Sequence, residues 1–480
     1  MGEFLILSLL LSSFLAGVLN SLIDERASKT RILINLSAGI YKLFVVFYLF
    51  KNKISQELYF EITQGVEVAL KVDDFGLSFI ILSSFLWFLT TIYAFGYLEN
   101  SENKRRFFTF FNLSISSTIG IALSNNLLSF FLFYELLTLS TYPLVVHNGT
   151  KSASKAGGIY LIYTLSSGAL MLTSLGLIYA QGGSASFTKG GDLNLIELAD
   201  KNPTLAKALF LMLFFSMAVK AGMFPLHSWL INAMVAPAPV SALLHAVAVV
   251  KSGAFGIGRL IYYLFGKQQV LELGLYEPLG YLAGLSILIG SIFALFQKDI
   301  KKRLAFSTVS QMSYILLGFL MVGEGGINAG LFHIFAHGIM KITLFMCAGS
   351  YENALGAKKL SELRAVGRAM PMTSLAFLIS SLALAGFPMS LGSKSKEMLK
   401  QASISVGFWW VGPLLLISTV LTFIYLVLPA LRMWVGKAPK DKRALPKAMS
   451  LPILITGALS FAPMILGGVE GGNSPLRLIK

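Results

Sequence analysis

The sequence predicts an all-α membrane protein, and three observations predict it. Apolar residues make up 55% of the 480-residue chain before its 44 glycines are counted, and charged residues only 13%; soluble domains run at about 45 to 50% with glycine included and about 25%. The apolar residues fall in runs of about 20, the length that crosses a hydrocarbon core as a helix. The formal charge of +16 sits mainly in short segments between those runs, which is the positive-inside distribution and not the basic face of a nucleic-acid binder. The one cysteine, Cys347, excludes a disulfide and any cysteine-held zinc or iron–sulfur centre in this chain, so redox chemistry belongs to other chains.

Fourteen spans are expected, near 3–23, 31–50, 75–97, 106–124, 127–147, 155–181, 204–234, 239–264, 279–297, 303–322, 327–350, 371–403, 408–432 and 449–467. The first run has no basic leading segment and no clear small-residue cleavage site, so it reads as a retained span. The seventh and twelfth are long and interrupted, by Pro225 and by Pro388 to Gly392. Proline removes a backbone donor, which lipid tolerates only where the freed groups meet protein or water. Breaks in corresponding helices of two halves point to a transport pathway. These lie five spans apart, so spans 4–8 and 9–13 are the expected repeats. Five is odd, so the second copy is inverted. The expected units are 1–100, with three helices, 101–266 and 267–435, with five each, and 436–480, with the last. The basic loops follow odd-numbered spans, which places both termini outside the cytoplasm.

A charge at bilayer depth costs at least about 2.5 to 3.5 kcal/mol, so such residues face the bundle interior or an ion path. Glu135, Lys220 and Lys251 lie too deep in their runs to reach a headgroup; the alternative for them is a buried pair that only fixes packing. Lys42 lies outside both repeats and reads as a packing or snorkelling residue, and Lys207 and Lys400 lie near span ends. His333, His337 and Lys341 are spaced i, i+4, i+8, one helical stripe with steps of about 6 Å that suit proton transfer through waters. A His-x-x-x-His pair also binds zinc, but neither a metalloprotease glutamate nor a third ligand accompanies it. His245 points to a different face from Lys251 and joins a side path or is a core histidine. Desolvation brings a lysine into the exchangeable range and a nearby carboxylate opposes it, so a Glu–Lys pair that closes and opens can hold and release a proton.

The stretch Phe224-Pro225-Leu226-His227-Ser228-Trp229, with Ala236-Pro237-Ala238-Pro239-Val240-Ser241-Ala242-Leu243-Leu244-His245 and Lys251-Ser252-Gly253, resembles antiporter-like membrane subunits. These occur in respiratory complex I, Mrp-type cation/proton antiporters and energy-converting membrane-bound hydrogenases. Asp299 to Gln311 and Phe332 to Lys341 continue the match. The resemblance implies two inverted five-helix repeats and a hydrophilic axis. It implies that Glu135 and Lys220 are the coupling pair, Lys251 the bridging lysine with His245 beside it, Lys341 the lysine of the second half and Lys396 the exit. The turn Pro388-Met389-Ser390-Leu391-Gly392-Ser393 departs from the family's pattern, and Lys394 stands nearby as the other candidate.

The expected function is a proton-translocating subunit of a redox-driven complex in a prokaryotic plasma membrane. Its partners would be further membrane subunits, among them a second antiporter-like one, and peripheral subunits with iron–sulfur or nickel–iron centres. No cofactor is expected in this chain. The alternative is a subunit of a non-redox Mrp-type sodium/proton antiporter; a passive scaffold leaves the buried charges unexplained.

Overall fold

The computed structural model describes residues 2–63, 66–323, 325–437 and 445–462. The chain is a helical bundle. α1 (Gly2–Leu22) and α2 (Ser28–Asn52) precede an antiparallel hairpin of β1 (Glu57–Thr63) and β2 (Val66–Lys71). Then come α3 (Asp74–Tyr97), α4 (Lys104–Leu123), α5 (Leu127–Val145), α6 (Lys151–Ala180), the short α7 (Leu193–Lys201), α8 (Pro203–Ala221) and the one-turn α9 (Ser228–Asn232). α10 (Ala238–Leu264) contains π-helical turns at Leu243–Val247 and Leu260–Leu264. The second half runs through α11 (Lys267–Leu273), α12 (Tyr276–Phe296), α13 (Ile300–Leu320), α14 (Gly326–Leu355), α15 (Pro371–Ala385), α16 (Leu391–Ser405), α17 (Val411–Arg432) and α18 (Lys447–Leu459).

Among the described residues, eleven helices are long and apolar enough to cross a membrane. Of the other expected spans, the tenth is α13, which opens on Lys301, Lys302 and Arg303. The twelfth is two helices of 15 residues each, α15 and α16. The fourteenth is α18, and the part of it expected beyond residue 462 lies outside the described residues. The β hairpin was not expected: period-two alternation over Leu58 to Ile62 and Val66 to Leu70 sits between two much stronger helical signals.

Burial sorts the helices. α10 is wholly enclosed, α14 nearly so, and α1, α2 and α6 keep most of their surface outward. The two enclosed helices carry His245, Lys251, His333, His337 and Lys341, so these polar groups lie at the centre. Both expected breaks are present. α8 ends on Gly222 and α15 on Gly386, each in the left-handed conformation (φ 73° and 92°) that glycine adopts without a Cβ penalty. Pro225 and Pro388 lie in the non-helical segments that follow.

Candidate functional site

The first cluster joins α5 to the end of α8. The Asn126 side chain caps α5 by accepting from the Ser129 amide, and Glu135 follows two turns in. Lys220 sits in the last turn of α8, where the helix carbonyls favour a cation. Its Nζ lies 3.8 Å from Glu135 Oε1, donates to the Tyr134 carbonyl and stands 3.3 Å from the centroid of the Tyr134 ring. Lys220 is fully buried, whereas the Glu135 side chain keeps 18% of its surface exposed and its Oε1 accepts no hydrogen bond. Charges about 4 Å apart attract by roughly 4 kcal/mol at an effective dielectric constant near 20. Desolvation costs several kcal/mol per ion, so it offsets that attraction and the pair adds little net stability.

α10 packs against α8 at Gly253, where a Cβ would stand 2.4 Å from the Ala221 amide nitrogen. This close approach holds the Lys251 helix against the Lys220 helix. The Lys251 ammonium donates to His337 Nδ1 at 2.6 Å and to the His245 carbonyl at 3.1 Å. With Lys251 as the ammonium, His337 Nδ1 accepts and the proton of the neutral ring is on Nε2. His245 lies in the first π turn of α10, and its Nδ1 is 3.1 Å from Thr308 Oγ1, whose own hydrogen goes to the Leu304 carbonyl. His245 Nδ1 must then donate, which leaves Nε2 as a bare acceptor. The same Leu304 carbonyl accepts from Lys341 Nζ at 2.8 Å, and Lys341 also donates to Ser307 Oγ.

Along α14 the rings of His337 and His333 are nearly parallel, 6.2 Å apart. His333 Nδ1 meets Ser395 Oγ at 2.5 Å. The next residue, Lys396, donates to the Ala385 carbonyl at 2.8 Å and to Thr419 Oγ1 at 2.6 Å. Three ring nitrogens, the Nε2 atoms of His245, His333 and His337, are buried without a hydrogen-bond partner, as are Gln311 Nε2 and Tyr314 Oη on the facing α13. The polar line thus runs from Glu135 and Lys220 through Lys251, His337 and His333 to Ser395 and Lys396, with His245, Thr308 and Lys341 on a branch.

Glu135, Lys220, Lys251, His245, His333, His337, Lys341 and Lys396 lie on this line or its branch. No direct hydrogen bond joins Lys220 to Lys251, or Lys341 to His337, among the described residues. Lys394 points away, exposed, and pairs with Glu397 at 3.1 Å. Among the described residues no three His, Cys, Asp or Glu side chains cluster as metal ligands. The snorkelling reading of Lys42 fails, because its side chain is fully buried and donates to Ser13 Oγ at 2.6 Å. Sequence reasoning missed the neutral partners Tyr134, Ser307, Thr308, Ser395 and Thr419. It also missed the ion pair of Arg259 with Asp73, in which Arg259 Nη2 donates to Oδ1 at 2.8 Å; an aspartate opening a helix and an arginine in the apolar run of α10 were its only signals.

Residues 124–422 match the family described as NADH:quinone oxidoreductase/Mrp antiporter, transmembrane. NADH-quinone oxidoreductase subunit N of Desulforudis audaxviator is 30% identical over 82% of this chain and 80% of its own length. A putative antiporter subunit mnhA2 of Staphylococcus haemolyticus is 30% identical over 81% of this chain but 52% of its own length. F(420)H(2) dehydrogenase subunit L of Methanosarcina mazei is 29% identical over 82% and 62%. The fold also matches solved structures. A chain of the membrane-bound sulfane sulfur reductase, an archaeal respiratory membrane complex, aligns with a TM-score of 0.84 at 24% identity over 97% of this chain and 94% of its own. A chain of the Mrp complex from a Dietzia species aligns at 0.84 and 22% identity over 99% and 96%. The chain therefore belongs to the antiporter-like membrane subunit family that NADH:quinone oxidoreductases and Mrp antiporters share.

Proposed function

We propose that this chain is the proton-translocating subunit of a redox-driven membrane complex, working in a prokaryotic plasma membrane with both termini outside. The observation that carries the reading is the meeting of a carboxylate–ammonium pair, Glu135 and Lys220, with a buried line of proton-exchanging groups, Lys251, His337, His333 and Lys396. While Glu135 stands beside Lys220 the proton stays on the ammonium. When a neighbouring subunit draws Glu135 away, Lys220 releases it towards Lys251. Lys251 hands a proton to His337 Nδ1, and the proton on His337 Nε2 leaves towards His333. His245 and Lys341 hold a second proton beside the bridge, and Lys396 passes protons out at the second break. The 18% exposure of Glu135 gives a partner access to the switch. The partners are further membrane subunits, a second antiporter-like one among them, and peripheral subunits holding iron–sulfur or nickel–iron centres. The two five-helix units are inverted copies, each contributing one half-channel.

Redox-named and antiporter-named relatives match the chain at the same 30% identity, so the partner subunits decide between this reading and the stand-alone antiporter. The test is to purify the complex from its source membranes and to measure ion movement in vesicles with and without Glu135→Gln. Iron-containing partners should co-purify, and the variant should assemble but build no gradient. If only small membrane proteins co-purify and sodium–proton exchange runs without an electron donor, the Mrp-type reading replaces this one.

A further inference from the structure

The N-terminal helices hold a second buried polar column, separate from the axis. The buried face of α2 changes character along its length: Arg31, Asn35, Gly39 and Lys42 occupy the first part, and Val45, Val46 and Leu49 the rest. Arg31, Asn35 and Lys42 fall at i, i+4 and i+11, one stripe about 16 Å long. At the rim, Arg31 donates to the carbonyls of Asp24 and Glu25. One turn deeper, Asn35 Nδ2 meets Asn20 Oδ1 at 3.2 Å and Asn112 Nδ2 meets Asn35 Oδ1 at 2.6 Å, a triad of amides contributed by α1, α2 and α4. Deeper still, Lys42 lies fully buried with Ser13 Oγ at 2.6 Å and the Trp87 ring at 5.1 Å. No carboxylate or other charged side chain from α1, α3 or α4 pairs with it among the described residues.

This arrangement has no structural economy. A buried lysine without an ion partner costs more than an apolar residue of the same shape, so its retention needs a use for the ammonium. The column is also one-sided: it is polar from the Asp24–Arg31 rim inwards and apolar beyond Lys42. Several of its atoms, Arg31 Nε, Asn112 Oδ1 and Trp87 Nε1, are buried with no hydrogen-bond partner, and groups of that kind bind water or carry exchangeable protons. α3 stands between Lys42 and α14, with Trp87 on the Lys42 side and Leu82 and Leu86 against Gly338. We propose that Lys42 is a proton-binding site at the closed end of a hydrated half-channel. That half-channel enters between α1, α2 and α4 from the face bearing residues 22–28, as a loading site beside the main axis.

The test has two arms on the assembled complex. In the first, Cys347, the one cysteine of the chain, is replaced by serine and single cysteines are placed by Asn35→Cys or Val46→Cys. Both native residues are buried on the same face of α2. A small charged thiol reagent should label the cysteine at 35 at least about tenfold faster than that at 46, and only from the face of the 22–28 loop, because only a water-reached thiol forms the reactive thiolate. In the second, Lys42→Gln and Lys42→Arg are compared in vesicles. A proton site predicts that both lose about half or more of the transport rate, since arginine keeps its proton; a fixed charge predicts that Lys42→Arg retains the full rate. Equal labelling at 35 and 46, a full rate in Lys42→Arg, or labelling without any rate change in Lys42→Gln would each overturn the proposal. The labelling arm leaves Lys42 in place, so it decides the half-channel even where the Lys42 variants do not assemble, and it reads no transport at all, so it is independent of the function proposed for the axis.

Discussion

The two helix breaks share a local sequence and a glycine-closed helix end, yet their lysines are tied down differently. At the first break the freed Val219 carbonyl accepts from the Trp229 indole at 2.8 Å, and the Phe224 amide donates to Ser286 Oγ at 3.0 Å. Neither of these two groups depends on Lys220, which is left to face Tyr134 and Glu135. At the second break the Ala385 carbonyl accepts from Lys396 itself, whose other partner, Thr419, is neutral. One lysine faces a carboxylate 3.8 Å away; the other is anchored to a helix end. In the proposed function this difference separates a switch from a terminus, although the motif is the same.

The largest effect should come from removing either lysine, and the two removals should differ in kind. Lys220→Ala is expected to stop transport while leaving the complex assembled, because the carbonyl it donates to, that of Tyr134, also accepts from Thr138 Oγ1. Lys396→Ala should stop transport as well, and should also destabilise the chain by about 1 to 3 kcal/mol, the cost of leaving a buried carbonyl unsatisfied. Vesicle transport and thermal unfolding of the detergent-solubilised complex read the two separately. Equal stability loss in both variants would erase the distinction between the breaks.

Lys251 stands between the breaks and tests whether the line connecting them moves protons or only holds charge. Lys251→Arg preserves the cation but not the ability to release a proton, so transport should fall by at least about tenfold, a barrier change of about 1.4 kcal/mol. A variant that assembles and transports at the normal rate would make Lys251 a fixed counter-charge and disconnect the two halves.

How much of this was legible depends on what kind of signal each residue leaves. The apolar runs, the two proline breaks and the deep charges Glu135, Lys220 and Lys251 are visible because each violates or fulfils a strong rule about the bilayer. His333, His337 and Lys341 are visible because helical spacing puts them on one face. Their partners are not. Thr308, Ser307 and Ser395 look like the many serines and threonines whose hydroxyls bond their own helix, as Thr308 does to the Leu304 carbonyl. Only the packing of neighbouring helices shows that they also meet a histidine or a lysine. The π turn at His245 leaves no proline or glycine to mark it, so straight helical counting could not place that ring against Thr308. The β hairpin was overlooked because its alternation spans too few residues between two long helices.

A smaller effect should follow from the indole at the first break. Trp229→Phe keeps an aromatic ring tilted against Tyr160, 5.4 Å away in the native chain, but removes the indole donor to the Val219 carbonyl. It is expected to cost about 0.5 to 1.5 kcal/mol, because the Val219 carbonyl still accepts from the Gly222 amide at 3.0 Å, with transport reduced in proportion to assembled protein. If specific transport per assembled complex also collapses, the indole holds Lys220 in place, and the first break is as dependent on its capping residue as the second.

The smallest effect is expected at Lys394, and it fixes the register of the second break. Lys394 and Lys396 are two residues apart, about 200 degrees around a helix, so only one can face the axis. The Ser390 cap starts α16 with reciprocal bonds between Ser390 and Ser393, which sets Lys396 inward against Ala385 and Thr419 and Lys394 outward against Glu397. An exposed i, i+3 pair contributes about 0.5 kcal/mol or less. Lys394→Ala should therefore leave stability within that range and transport near normal, whereas a block of transport by Lys394→Ala, with Lys396→Ala active, would mean that the working state turns α16 by half a revolution and that Lys394 is the exit.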